Sequence, residues 1–102
     1  MLSFPLENRV IEFEWDKNKA ATNEKKHGID FSEATTVFGD PLELTIIDPE
    51  HSSGEYRFLS IGRSRAGNLL VVSYTERKQN LIRIISVRKA TRQELKYYEQ
   101  NQ

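Results

Sequence analysis

Leu69-Leu70-Val71-Val72-Ser73-Tyr74-Thr75-Glu76 and Leu81-Ile82-Arg83-Ile84-Ile85-Ser86-Val87-Arg88-Lys89, separated by the polar turn Lys78-Gln79-Asn80, decide the fold. Both runs are rich in β-branched residues and long enough for full strands, and a turn this short makes them antiparallel neighbours. Working outward, Glu55 to Arg63 reads as another strand, reached through the turn Ala66-Gly67-Asn68, and Leu42 to Asp48 as one more, before the polar loop Pro49 to Gly54. Further upstream, Val10 to Trp15 alternates so that Ile11, Phe13 and Trp15 face a core.

Helical signals fill the gaps. Asp16 is an N-cap for a helix to about Lys26, with Lys25, Lys26 and His27 at its negative end and Gly28 as C-cap. The apolar face of that helix is thin, with Ala20 and Ala21 its only clear members. Asp30-Phe31-Ser32-Glu33 is a capping box for a short helix to about Phe38, stopped by Gly39-Asp40-Pro41, and Thr91-Arg92-Gln93-Glu94 opens a last helix carrying Leu95 and Tyr98 on one face. The expected fold is α+β, in the order β-α-α-β-β-β-β-α. Helices cover one face of a curved antiparallel sheet, and the other face is left for function. Residues 1–102 form a single domain, with 1–9 as a loose N-terminal arm.

Composition narrows the class. With 37% hydrophobic and 29% charged residues the chain reads as a soluble globular domain, and no apolar run is long enough to span a bilayer. Met1 to Arg9 does not read as a signal peptide, so a cytoplasmic protein with no membrane partner is expected. Absence of cysteine excludes disulfides and thiolate chemistry. The two histidines, His27 and His51, have no close ligand spacing, so no metal site and no cofactor is expected. Net charge is zero but unevenly placed: residues 1–56 carry 5 Lys/Arg against 12 Asp/Glu, whereas residues 57–93 carry 9 Lys/Arg against Glu76 alone. The second half therefore reads as a polyanion-binding surface, or else the halves neutralise each other across the fold.

His51-Ser52-Ser53-Gly54-Glu55-Tyr56-Arg57 packs an imidazole, a carboxylate and a guanidinium into a short span. Metal-free RNA cleavage needs a base for the 2′-OH, cations for the phosphate and an acid for the leaving 5′-oxygen. His51 or Glu55 fits base or acid, and Arg57 fits phosphate; the plainer reading is a solvated turn with an ordinary salt bridge. By strand parity Arg57 and Arg63 share one face, while Arg83 and Arg88 oppose each other unless a bulge intervenes. Arg77 sits at a hairpin tip, within reach of the site or merely solvated. His27 reads as a capping residue, and Tyr56 and Tyr74 as base-stacking platforms or as core.

Trp15-Asp16, Lys19, Asn23, Lys26-His27-Gly28, Phe31, Glu33-Ala34 and Val37-Phe38-Gly39-Asp40-Pro41 resemble the front half of the BrnT family. His51-Ser52, Glu55, Arg57, Ile61-Gly62-Arg63-Ser64, Gly67, Thr75-Glu76-Arg77 and Arg83-Ile84-Ile85-Ser86-Val87-Arg88-Lys89-Ala90 resemble its back half, and Glu94, Tyr98 and Glu99 its final helix. Val87 stands where a smaller Ala is common. The resemblance spans roughly residues 12–99 and implies a RelE-like ribonuclease toxin of a type II toxin–antitoxin pair. It implies RNA cleavage, growth arrest and neutralisation by BrnA, a ribbon-helix-helix antitoxin, with operator DNA bound only through the toxin–antitoxin complex. Matched by position, the polar candidates are His51, Glu55, Arg57, Arg63 and Arg77 for catalysis, and Lys26, His27, Arg83 and Arg88 for RNA binding. The expected reaction is endonucleolytic 2′-OH attack. Two alternatives stay open at this point: a non-catalytic nucleic-acid-binding module, and a partner-binding domain.

Overall fold

Asp16 starts the first helix as its sequence predicts: its carboxylate accepts from the N–H groups of Asn18 and Lys19 at 2.8 and 3.0 Å. The computed structural model describes residues 2–6, 9–48 and 56–102. In chain order the elements are β1 (Leu2–Leu6), β2 (Arg9–Glu14), α1 (Lys17–His27), α2 (Phe31–Thr35), a 3₁₀ turn over Thr36–Gly39, β3 (Leu44–Ile47), β4 (Arg57–Arg63), β5 (Leu69–Lys78), β6 (Leu81–Lys89) and α3 (Arg92–Gln100). From β2 onward this is the expected α+β order. The other caps also form. Gly28 closes α1 in the left-handed region (φ 75°), and Thr91 with Glu94 makes a reciprocal capping box on α3; Asp30 caps α2 through the Glu33 N–H, but the expected box is one-sided there, because the Glu33 carboxylate accepts from Ser64 and Asn68.

The sheet runs β1-β2-β6-β5-β4-β3. Its hairpins are antiparallel as their short turns require, but β2 lies parallel to β6, with Phe13 beside Ile82, so the sheet is mixed rather than wholly antiparallel. A turn dictates orientation only for the strands it joins, and no turn joins β2 to β6. The N-terminal segment also departs from the loose-arm reading: Leu2–Leu6 pairs with β2, from Leu2 opposite Phe13 to Leu6 opposite Arg9. Pro5 argues against an interior strand, but β1 is an edge strand, where a missing N–H costs little.

One face of the sheet is closed. Ile11, Phe13, Leu70, Val72, Ile82, Ile84 and Val87 pack against Phe31, Ala34 and Val37 of the α2 region. Phe38 meets Phe13 and Tyr74 at ring separations of 5.3 and 5.0 Å. Gly62 lets the 3₁₀ turn approach this closely, because a Cβ there would lie 2.9 Å from Val37 Cγ1.

The helices do not all cover that face. Leu95 and Tyr98 of α3 pack with Leu59, Ile61, Leu69 and Val71 on the other side. Arg88 fixes α3 through a fork to Glu94, at 2.7 and 2.8 Å. That fork, outweighing burial, holds the Glu94 carboxyl down at about 2. At the far end of α3 the Tyr98 hydroxyl donates to Asp40 at 2.7 Å. Burial and then that carboxylate push the phenol up to about 12. Helix α3 thus covers one end of this second face.

Candidate functional site

The rest of the second face is polar, and a bulge in β6 sets its composition. Ser73 pairs with Ser86 but Tyr74 pairs with Ile84, which makes Ile85 an extra residue. Strand parity reverses there. Val87 joins Ile82 and Ile84 in the core, while Arg83, Ser86 and Arg88 lie opposite Thr75, Ser73 and Val71 on the second face. Arg83 and Arg88 therefore share a face, the outcome that strand parity allowed only with a bulge.

Beyond α3, one cross-strand row runs Arg57 (β4), Thr75 (β5), Arg83 (β6) and Glu14 (β2). Arg83 Nη1 lies 2.6 Å from Glu14 Oε2, and both side chains keep about a third of their surface exposed (34% and 29%). Thr75, between the two arginines, is 3% exposed. Among the described residues its Oγ1 is the one buried side-chain polar atom with no hydrogen-bond partner. A buried hydroxyl left unsatisfied costs about 1–3 kcal/mol, and this one lies on the strand ladder between Arg57 and Arg83. The next row is Leu59, Ser73 and Ser86. Two arginines on either side of Thr75 in the strand ladder suit, by their chemistry, the non-bridging oxygens of a phosphodiester.

A cleft of about 360 Å³ opens beside Ser86, between α1 and β6, lined by Asn18, Lys19, Thr22, Asn23, Lys26, His27, Ile85 and Ser86. Asn23 anchors it. Its amide donates to the Val87 carbonyl at 2.9 Å and accepts from the Val87 N–H at 3.0 Å, in the manner of a neighbouring strand.

The structure sorts the candidates proposed from sequence. His51 and Glu55 lie outside the described residues. Arg57 and Arg83 come together in the Thr75 row. Arg63 shares their face but sits six residues along β4, about 20 Å from Arg57. There it is exposed, and its Nη1 donates to the Gly67 carbonyl at 3.2 Å. The structure thus separates the Arg57–Arg63 pair by strand length. Arg77 is the extra residue in a second irregularity of β5, between Glu76 and Lys78. It is exposed, about 7 Å along the strand from Thr75. Lys26 and His27 share the α1 cleft. Arg88 lies on the second face, where its fork to Glu94 seats α3 and its side chain stays 40% exposed. Tyr74 belongs to the core, stacked on Phe58 with ring centroids 5.5 Å apart, whereas Tyr56 is 67% exposed. Thr75 appears in the sequence only within the stretch that carries the resemblance, and neither it nor Glu14 is among the site candidates read from sequence. A signal existed, because the Leu69–Val71 face of β5 turns polar at Ser73 and Thr75. No group of three or more His, Asp or Glu side chains is placed to hold a metal among the described residues.

A family model described as "Ribonuclease toxin, BrnT, of type II toxin-antitoxin system" matches residues 15–94. No curated protein sequence matches the chain. The crystal structure of the Brucella abortus ribonuclease toxin BrnT is similar in fold, with a TM-score of 0.60 and 23% identity, over 80% of this chain and 99% of that one.

Proposed function

The chain belongs to the BrnT family of type II toxin–antitoxin systems, and from that premise we propose that it is a RelE-like, metal-independent endoribonuclease of the cytoplasm that arrests growth. A BrnA-like ribbon-helix-helix antitoxin holds it silent, and operator DNA is met only through their complex. One observation carries the reading above family membership: the Arg57–Thr75–Arg83 row, with its buried, unpartnered hydroxyl.

In this reading Arg57 and Arg83 hold the non-bridging oxygens of the scissile phosphate. Thr75 donates to one of them, and Glu14 keeps the Arg83 fork in place. The adjacent 2′-oxygen attacks phosphorus as its proton passes to a base. The bond to the 5′-oxygen breaks, and that oxygen takes a proton from an acid. The products are a 2′,3′-cyclic phosphate and a 5′-hydroxyl. His51 and Glu55 are the candidates for base and acid on sequence grounds, and Arg77 the candidate for a further phosphate contact. Arginine suits this work because its planar fork stays charged and matches two oxygens at once.

The test is inducible expression of the chain alone and with its antitoxin, following growth and total RNA. The reading expects arrest with RNA breakdown, relieved by the antitoxin, and lost in Arg57→Ala or Arg83→Ala variants that remain folded. Normal growth with intact RNA at high soluble expression would favour a non-catalytic nucleic-acid binder instead.

A further inference from the structure

Helix α1 sits on the sheet in an unusual way. A helix on a sheet normally buries an apolar stripe. The one buried residue of α1 is Asn23. Lys19, Thr22, Asn23, Lys26 and His27 recur at intervals of one helical turn and all line the cleft against β6. Ala20 packs partly buried against the core, while the flank of the helix toward β6 carries polar and cationic groups, of which Lys19, Thr22 and Lys26 are exposed, and the Asn23–Val87 pair holds the helix in place. Such a local departure from the rules of packing marks a functional surface.

The floor of the cleft is a strand edge. β2 pairs with β6 only as far as Arg83, and Asn23 takes up the backbone of Val87. Between those two points lie the bulged Ile85 and Ser86, which line the cleft. Ser86 also belongs to the open face, in the row next to Thr75 and Arg83. No carboxylate lines the cleft among the described residues. Lys19 and Lys26 stand seven residues apart, about 10 Å along the helix axis. The volume of about 360 Å³ lies in the range of small-ligand sites.

We propose that this cleft is a nucleotide subsite, in which Lys19 and Lys26 take the phosphate of a nucleotide flanking the scissile bond and its base lies over Ile85 and Ser86, against Thr22 and His27. The proposal rests on the ribonuclease reading and deepens it. An RNA strand lying across Arg57, Thr75 and Arg83 passes over Ser86 and off the sheet edge into the cleft. Single-stranded RNA suits this path, because its bases are free to leave the stack and meet polar edges.

The test is a two-dimensional NMR titration of the full ¹⁵N-labelled chain at low salt, with each nucleoside 5′-monophosphate and, separately, with inorganic phosphate. The monophosphates are expected to move the amides of Thr22, His27, Ile85 and Ser86 and to bind about tenfold tighter than phosphate. The Lys19→Gln/Lys26→Gln double variant is expected to weaken that binding, and to raise KM for a short single-stranded RNA, by about tenfold each. Shifts confined to the Arg57–Arg83 row, equal affinity for phosphate, or a double variant with unchanged binding and KM would overturn the subsite. If the wild-type chain cleaves no RNA, the ribonuclease reading falls separately, and the titration still decides whether the cleft takes a nucleotide.

Discussion

The two faces of the sheet are built on opposite terms. On the closed face, Phe13, Leu70, Val72 and Val87 are fully buried under the α2 region, and stacked or edge-on aromatic rings fill the space between. On the open face, α3 covers the Ile61–Val71 end, and the remainder carries two arginines, a glutamate, two serines and Thr75, whose hydroxyl has no hydrogen-bond partner among the described residues. The same four strands, β2, β4, β5 and β6, supply both. Alternation lets one strand serve stability with every second residue and chemistry with the others. Substitutions on the two faces should therefore fail in different ways.

The largest contrast is between Phe13→Ala and Arg83→Ala. Phe13→Ala opens a cavity in the closed face and should cost about 3–5 kcal/mol in urea unfolding. Arg83→Ala breaks a partly exposed ion pair and should cost about 1 kcal/mol or less, while RNA cleavage falls by about 100-fold. Equal destabilisation by the two would erase the distinction between the faces. Next comes Asn23→Ala, which leaves the Val87 N–H and C=O without their partners and should cost about 1–3 kcal/mol in the same assay. A neutral result would mean that α1 is held by something other than that pair.

A smaller effect is expected where α3 meets the second face. The Glu94 carboxyl is depressed from its ordinary 4.5 to about 2 by its fork with Arg88, against burial. Its contribution is present above pH 4.5 and lost as pH falls through about 2. Because the pair is partly exposed, about 1 kcal/mol is the expected size. Between those pH values Tm should fall less steeply in Glu94→Gln than in the wild type.

The subtlest test is Thr75→Val. It removes a buried hydroxyl that has no partner, so the fold should be unchanged or gain up to about 1 kcal/mol, while cleavage drops by about tenfold. A Thr75→Val protein that is less stable and fully active would show that the hydroxyl serves the fold and not the site.

Much of this was legible in the chain. The helix starts were readable because caps are local chemistry: Asp16, Asp30 and Thr91 each bond within three residues. The hairpins were readable because short turns force antiparallel neighbours. What escaped was non-local. The parallel β2–β6 pair joins segments far apart in the chain, and no local pattern sets its direction. The edge strand β1 was hidden by Pro5, which only an edge position tolerates. Parity alone could not locate the bulge at Ile85, because an extra residue is defined by what the partner strand lacks. The site suffered for the same reason. Arg57 and Arg83 were recognisable as phosphate ligands by type, but their meeting across Thr75 depends on register, and so does the distance that separates Arg63 from them.

The most direct measurement is chemical analysis of the RNA ends left by the purified chain in the presence of a metal chelator. Cleavage to fragments with 2′,3′-cyclic phosphate and 5′-hydroxyl ends is expected, abolished in Arg83→Ala and Arg57→Ala. Cleavage that stops with the chelator, 5′-phosphate ends, or full activity in both arginine variants would contradict it.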